Sequence, residues 1–460
     1  MKHLRLLGAA LALLALAGCA VGPDYVRPTW NLPAQYKENS QWQLARPMDA
    51  SPQGPWWTVY GDSQLNALMD ELNRQSPTLA AAEAQYRLAQ AQLRQAESGL
   101  FPSLSATAGR TRGTQSSGSD SVSNQYSLGL AASWEIDLWG RVRRAVEAGQ
   151  AKQAADLAQL QAVRLSSQAQ LASAWLQLVV ADRQLAQLQD SARTLAETLT
   201  LTRNQYRAGV VSDAAVVQAE SQLKSAQAQV VDKQLTRAQL EHAIASALGK
   251  TPAELSLPSQ ATHEPHLPAI PPGIPSALLE RRPDIAQAER NMAEANAQIG
   301  LAKAAFFPTL SLNASGGYKG ASFANWVTQP NRFWSLGPSL ALALFDAGLR
   351  KAQSDAAIAQ YDQTVASYRQ TVLAAFQSVE DNLAAQRLLS EEAELQQAAV
   401  TAARRSETIT LNQYRAGTVS YINVMTAQAN RLAAEKTAWD IRNRQYLASV
   451  NLITGIGGQW

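Results

Sequence analysis

The stretch "QYSLGLAASWEI" (residues 125–136) alternates from end to end. Tyr126, Leu128, Leu130, Ala132, Trp134 and Ile136 stand against Ser127, Gly129, Ala131, Ser133 and Glu135. Successive side chains of a strand point to opposite faces, so this pattern predicts a strand with one apolar face and one small, polar face. "TLSLNASGGY" (309–318) and "WSLGPSLALAL" (334–344) repeat it, and "SLSATAG" (103–109) is a weaker copy. Four strands are expected, at 103–111, 125–136, 309–318 and 334–345. Pro338 donates no ladder hydrogen bond and predicts a bulge or a strand end.

These lengths are close to the ~9–11 residues that a tilted strand needs to cross a bilayer. A soluble sheet with one buried face would alternate in the same way. The long polar loops 110–124 and 319–333, which join each strand pair, resemble the external loops of membrane barrels. Four strands cannot close a barrel, and an open edge in lipid leaves backbone groups unpaired at several kcal/mol each. Membrane strands would therefore have to be shared between copies. Two copies give eight strands and a filled interior; three give twelve and room for a lumen.

Working outward, no proline interrupts the chain from about Gly140 to Tyr206, or from about Leu349 to Tyr414. At ~1.5 Å per residue each run makes a helix of ~100 Å. Leu171, Leu178, Leu185, Ala192 and Leu199 recur every seventh residue, with Trp175, Leu188 and Leu195 three or four away, the seam of a coiled coil. Each run ends in a near-identical string, "NQYRAGVVSDAAVV" from Asn204 and "NQYRAGTVSYINVM" from Asn412. Gly209 and Gly417 are placed to stop the helix in a left-handed conformation, and Ser212 and Ser420 to cap a returning helix.

The turn is one part of a duplication. "SPTLAAAEAQYRLAQAQLRQAESGLFPSLS" from Ser76 aligns with "RPDIAQAERNMAEANAQIGLAKAAFFPTLS" from Arg282, at a steady offset of about 206–208 residues. The expected organisation is a signal peptide (1–18), an N-terminal segment (19–61), a first repeat (62–257), a Pro-rich linker (258–273) and a second repeat (274–457). Each repeat reads helix, two strands, long helix, tip near 209 or 417, return helix.

The N-terminus pairs basic residues Lys2 and Arg5 with an apolar stretch too short to anchor a membrane span. It ends in "LAGC" (16–19), which looks like a bacterial lipobox with Cys19 as the lipidated residue. Ala20, rather than Asp, suggests transport to the outer membrane. Cys19 is the only cysteine among 460 residues, so once lipidated it leaves no thiol for a disulfide, metal cluster or nucleophile. Four histidines are present; His263 and His266, in "HEPH", read as solvated loop rather than a metal site. Forty Lys+Arg against 37 Asp+Glu, without a basic block, argue against nucleic acid. No catalytic constellation, metal site or cofactor motif emerges, so an enzyme is not expected.

"LAGCAVGPDYVRP" (16–28), "WWTVYGDSQLNALMDELNRQSPTLAAA" (56–82), "WEIDLWGRVR" (134–143), "IPSALLERRPDIAQAE" (274–289), "AKAAFFPTLSL" (302–312) and both "YRAG" tips resemble the TolC-like outer-membrane factors. More narrowly, they resemble the NodT-type efflux lipoproteins. The resemblance implies an α+β membrane protein and a homotrimer. Its twelve-stranded outer-membrane barrel would continue as a periplasmic α-helical coiled-coil barrel, with the Pro-rich linker as an equatorial belt. A periplasmic adaptor would dock at Gly209, Val210, Ser212, Asp213, Gly417, Thr418, Ser420 and Tyr421. An inner-membrane pump would supply the energy. Ala215, Asn423 and Thr426 would face an aperture that closes at rest and splays to open. Relatives often carry Asp at those three positions; here all three are uncharged and Asp213 is the nearby acid. The implied function is a passive exit duct for drugs, aromatic compounds or metal ions. A type I protein secretion duct shares the fold. A coiled-coil structural lipoprotein would explain the helices and Cys19 but not the four strands.

Overall fold

A computed structural model describes residues 20–28, 36–38, 55–114, 122–270 and 281–458. The signal segment and Cys19 lie outside the described residues, as do 115–121 and 271–280, which hold the linker's end and the start of the second repeat. Helices α1 (Ser63–Gln75) and α2 (Pro77–Ser98) lead into strands β1 (Ser103–Thr114) and β2 (Val122–Ile136). The long helix α3 (Arg141–Arg207) and the return helix α4 (Asp213–Ala247) follow. After the linker come α5 (Pro283–Ala304), β3 (Thr309–Gly320), β4 (Arg332–Ala341), α6 (Leu349–Arg415) and α7 (Tyr421–Gly455). Both long helices have 67 residues and both return helices 35, as the duplication requires. Pro77 and Pro283 sit at the first position of their helices, where the missing N–H has no intrahelical partner to lose.

Two compact units cut across the sequence repeats. One takes Ala84–Ala158 and Ile285–Thr371 with the described residues of Met1–Thr29; the other takes Gln159–Asp284 and Val372–Trp460 with those of Trp30–Glu83. Each repeat thus contributes to both.

The first unit holds the sheet, with order β1-β2-β3-β4 and every pair antiparallel. Even-numbered residues of all four strands share a face: Ala106 pairs with Leu130, Leu128 with Tyr318, and Gly316 with Trp334. That face is bare. Leu104, Leu130, Trp334, Leu336 and Leu340 are exposed, Trp334 by 76%. The other face is knitted by side chains: Ser133 donates to Asn313 (3.0 Å), Asn313 to Ser339 (3.1 Å), and Ser315 meets Ser335 at 2.7 Å. A sheet that leaves its apolar face open and hydrogen-bonds its polar one is built inside-out relative to a soluble sheet.

Two expectations about the strands need correction. Pro338 neither bulges nor ends β4: its pairing with Leu312 continues the register on both sides. The residues on both sides of it stay paired with β3, so the missing N–H does not interrupt that ladder. The strand also stops at Ala341 rather than 345, because Ala341 pairs with Thr309, the first residue of β3. Pro308 precedes it, so residues 342–345 have no ladder partner in β3.

The second unit has the aromatic core. Trp56, Trp57, Tyr60, Leu65, Met69 and Leu72 pack around Leu171, Trp175 and Leu178 of α3 and Val450 and Ile453 of α7. Asp62 organises it. One carboxylate oxygen caps α1, accepting from the Gln64 and Leu65 amides at 2.9 Å. The other accepts from the Trp175 indole at 2.6 Å and lies 3.0 Å from His263 Nε2. His263 is therefore tied down rather than simply solvated, and its neighbour His266 donates its amide to the Tyr60 carbonyl at 3.0 Å. Among the described residues no three His, Cys, Asp or Glu are grouped to hold a metal ion.

Candidate functional site: the paired helical tips

Both tips lie in the second unit and are built alike. Val210 donates its amide to the Gln205 carbonyl at 2.8 Å and Gly209 to Tyr206 at 2.9 Å. Thr418 donates to Gln413 at 3.0 Å and Gly417 to Tyr414 at 2.9 Å. This doubly bonded ending needs a left-handed residue, and Gly209 and Gly417 supply φ of 74° and 75°. A Cβ on either glycine would meet nothing within 4 Å, so backbone conformation rather than space demands glycine here. Ser212 and Ser420 hold the N-cap positions, but neither hydroxyl makes a cap hydrogen bond. The exposed surface of the tips comprises Gly209, Val210, Ser212, Asp213, Gly417, Thr418 and Ser420. Val210 is an apolar side chain 67% exposed.

Tyr421 is not part of that surface. It is 4% exposed, inside a cluster with Leu195 and Leu199 of α3, Ala219 and Leu223 of α4, Tyr414 of α6 and Val424 of α7. Its ring lies 5.7 Å from that of Tyr414. Its hydroxyl has no partner among the described residues, and burial, with Tyr414 beside it, pushes its pKa up to about 12. Thr202 donates to the Thr198 carbonyl (2.9 Å), which leaves its lone pairs for the Tyr414 hydroxyl at 3.2 Å. Of the three residues expected at an aperture, Asn423 and Thr426 lie exposed one helical turn apart on α7. Ala215 does not join them, being half-buried against the apolar cluster.

Away from the turns, a charged clamp joins three helices. Arg431 of α7 donates to Glu435 at 2.8 Å and to Ser191 of α3 at 3.2 Å. Its Nε lies 2.6 Å from Glu407 of α6, without an aligned hydrogen bond. Glu435 also accepts from Arg404 of α6 at 2.6 Å and from Gln187 of α3. The i,i+4 pair Arg431–Glu435 could have been found by its spacing; the links to Glu407, Gln187 and Ser191 carry no local signal.

Burial is the largest influence on the Glu407 carboxyl and holds its pKa above the ordinary value of 4.5; Arg431 opposes this and Glu435 adds to it. The folded protein therefore binds this proton more readily than the unfolded chain does. That contribution to stability is lost as pH rises through the raised pKa and is complete below the ordinary glutamate range. Glu407→Gln is expected to unfold at least as hot as wild type at neutral pH, with the difference shrinking on acidification. Thermal unfolding across a pH series checks this; a wild-type advantage that grows toward neutral pH would reverse the sign.

The outer membrane efflux protein family matches twice, over residues 68–250 and 274–458. The chain belongs to this family. The double match is the internal duplication. The toluene efflux pump outer membrane protein TtgC of Pseudomonas putida is 31% identical, over 99% of this chain and 96% of its own. The cation efflux system protein CusC of Escherichia coli O6:H1 is 28% identical over 97% of each chain. The solved structure of the outer-membrane channel OprN superposes with a TM-score of 0.89 at 30% identity, covering 96% of this chain and all of that one. The fold is that of these channels: four strands contributed to a shared outer-membrane barrel and long helices extending into the periplasm. No helix among the described residues is long and apolar enough to cross a membrane.

Proposed function

We propose that three copies of this chain form the passive exit duct of a tripartite efflux pump, taking small molecules from a periplasmic adaptor docked at the tips. The bare apolar face of a four-stranded sheet carries this reading, because four strands can neither close a barrel nor leave edges open in lipid. The exposed turns at Gly209–Val210 and Gly417–Thr418 are the adaptor's footing. Cargo is selected upstream, in the pump: TtgC and CusC resemble this chain to similar degrees, yet one serves toluene efflux and the other cation efflux.

Lipidation at Cys19 is part of the proposal. Residues just after it are seated firmly in the first unit. Arg144, almost fully buried, donates to the Val21 and Gly22 carbonyls at 3.3 Å and to Asp24 at 2.8 Å, while Asn296 donates to Pro23 at 2.9 Å. Lipid at Cys19 would thus be fixed close to the foot of the sheet, where Val21 donates to the Trp139 carbonyl at 3.0 Å.

The test is native mass followed by conductance in planar bilayers. A detergent-extracted trimer bearing acyl mass, which inserts and conducts, is the expected result. With Asn423 and Thr426 uncharged, wild type should resist block by multivalent cations, and Asn423→Asp should introduce it. A lipidated monomer that neither needs detergent beyond its anchor nor conducts would overturn the duct.

A further inference from the structure

We infer that the outer end of the sheet is a docking surface for the phosphate groups of the anionic glycolipid in the outer leaflet, through Arg110, Arg112 and Arg332. The inference rests on the sheet spanning the outer membrane.

The helices α2, α3, α5 and α6 all join the sheet at one end, the end of Ser103, Ile136, Thr309 and Ala341. That end faces the periplasm, so the connections between β1 and β2 and between β3 and β4 lie outside. The three arginines sit at this outer end. Arg110 pairs with Tyr126, Arg112 with Asn124 and Arg332 with Tyr318. These pairings put all three on the even-numbered face, in line with Leu128, Leu130, Trp334 and Leu336. They therefore close the outer border of the lipid-facing surface instead of pointing into the lumen.

Charge is sorted between the two ends. At the periplasmic end each arginine has its own carboxylate: Arg141 with Glu135, Arg143 with Asp137 and Arg350 with Asp346. Among the described residues, none of the three at the outer end does. From Phe101 to Trp134 and from Phe306 to Phe345 the sequence holds four cations, Arg110, Arg112, Lys319 and Arg332, and one acid, Asp120, outside the described residues. Lys319 faces the other way, its Nζ 4.8 Å from the centre of the Phe333 ring. Arg110 is held in place, its guanidinium 5.6 Å from the Tyr126 ring centre and bonded to Asn124 at 3.1 Å. Phe323 and Trp326 pack beside that ring, at 5.5 and 6.1 Å. Aromatic rings mark the membrane–water interface, and a guanidinium next to them stands at headgroup depth. Its planar fork matches phosphate oxygens, which makes arginine the expected residue there. Three outer arginines against a single acid, with no carboxylate partner among the described residues, fit an anion supplied by the outer leaflet.

The test uses the full-length assembly extracted from outer membranes and stripped of lipid. Its affinity for bisphosphorylated lipid A, for the fully dephosphorylated glycolipid and for phosphatidylglycerol is read by native mass spectrometry and thermal shift. Wild type should prefer the bisphosphorylated form by about tenfold or more over either other lipid, less so at high salt. R110Q/R112Q/R332Q should lose that preference, and the lysine triple variant should keep most of it. Equal binding of the dephosphorylated glycolipid, equal binding of phosphatidylglycerol, or an unchanged glutamine variant would each overturn the inference. The spanning reading fails differently: the wild-type chain would then stay dispersed without detergent around its sheet.

Discussion

Gly317→Val is expected to abolish the assembled channel, while Gly337→Ala, one strand away, leaves it intact. The two glycines sit in neighbouring strands of one sheet, and their surroundings are opposite. A Cβ on Gly317 would lie 2.1 Å from the Leu128 carbonyl oxygen and 2.6 Å from Gly129 Cα. Both are backbone atoms of β2, so no rotamer change relieves the overlap, and β3 must move off β2. A Cβ on Gly337 would meet nothing within 4 Å. Overpacking by side chains alone typically costs ~1–3 kcal/mol, and a clash with backbone exceeds that. The damage also falls at a critical seam, because β2–β3 is the pairing through which the first repeat's strands join the second's. Parting them exposes two new edges where lipid allows none. Heat-modifiable assembly in outer-membrane fractions is the readout. Wild-type assembly of Gly317→Val would mean that Gly317 does not pair with Gly129 across the β2–β3 seam.

That seam marks a boundary of what the residues disclosed on their own. Period-two alternation located all four strands, because it is a local property of the chain. It could not place the end of β4, which is set by where β3 begins after Pro308, more than thirty residues earlier. It also misjudged Pro338, since a missing N–H matters only on a side where a ladder bond would form. Helix lengths were legible to within a residue or two, because nothing but proline or a left-handed glycine stops so alanine-rich a run. The tips were legible as turns for the same reason. Their surfaces were less so. Tyr421 aligns with Asp213 of the first tip, and the resemblance implied a docking role for both; the packing of α7 on α3 and α6 turns Tyr421 inward. The serine caps failed similarly: the position was right, and the hydroxyl hydrogen bond was absent. Links such as Tyr414–Thr202 depend on which faces of four helices meet, and helix periodicity leaves that open.

Breaking the charged clamp should have the largest effect on the resting state of the duct. Arg431→Met removes the cation shared by Glu407 and Glu435, and Glu435 is 3% exposed. Taking one partner from a buried ion pair typically costs ~3–5 kcal/mol, because the remaining charge is stranded without water. Arg404 still reaches Glu435 and softens the loss; among the described residues Glu407 has no second cation and keeps only the neutral Gln428. The cost falls on the packed arrangement of α3, α6 and α7, which Arg431 bridges through Ser191, Glu407 and Glu435. In the proposed duct, opening the tips would let those carboxylates hydrate. The variant is therefore expected to conduct more than wild type in planar bilayers and to unfold at a lower temperature. Arg431→Met/Glu407→Gln/Glu435→Gln separates the two effects. With no charge left stranded, its thermal stability should recover toward wild type, whereas its conductance should stay raised, because the bridge between helices is still missing. A folded Arg431→Met variant with wild-type conductance would show that the clamp only stabilises the helices. In that case the Tyr414–Thr202 contact and the apolar cluster around Tyr421 would be what holds the tips together.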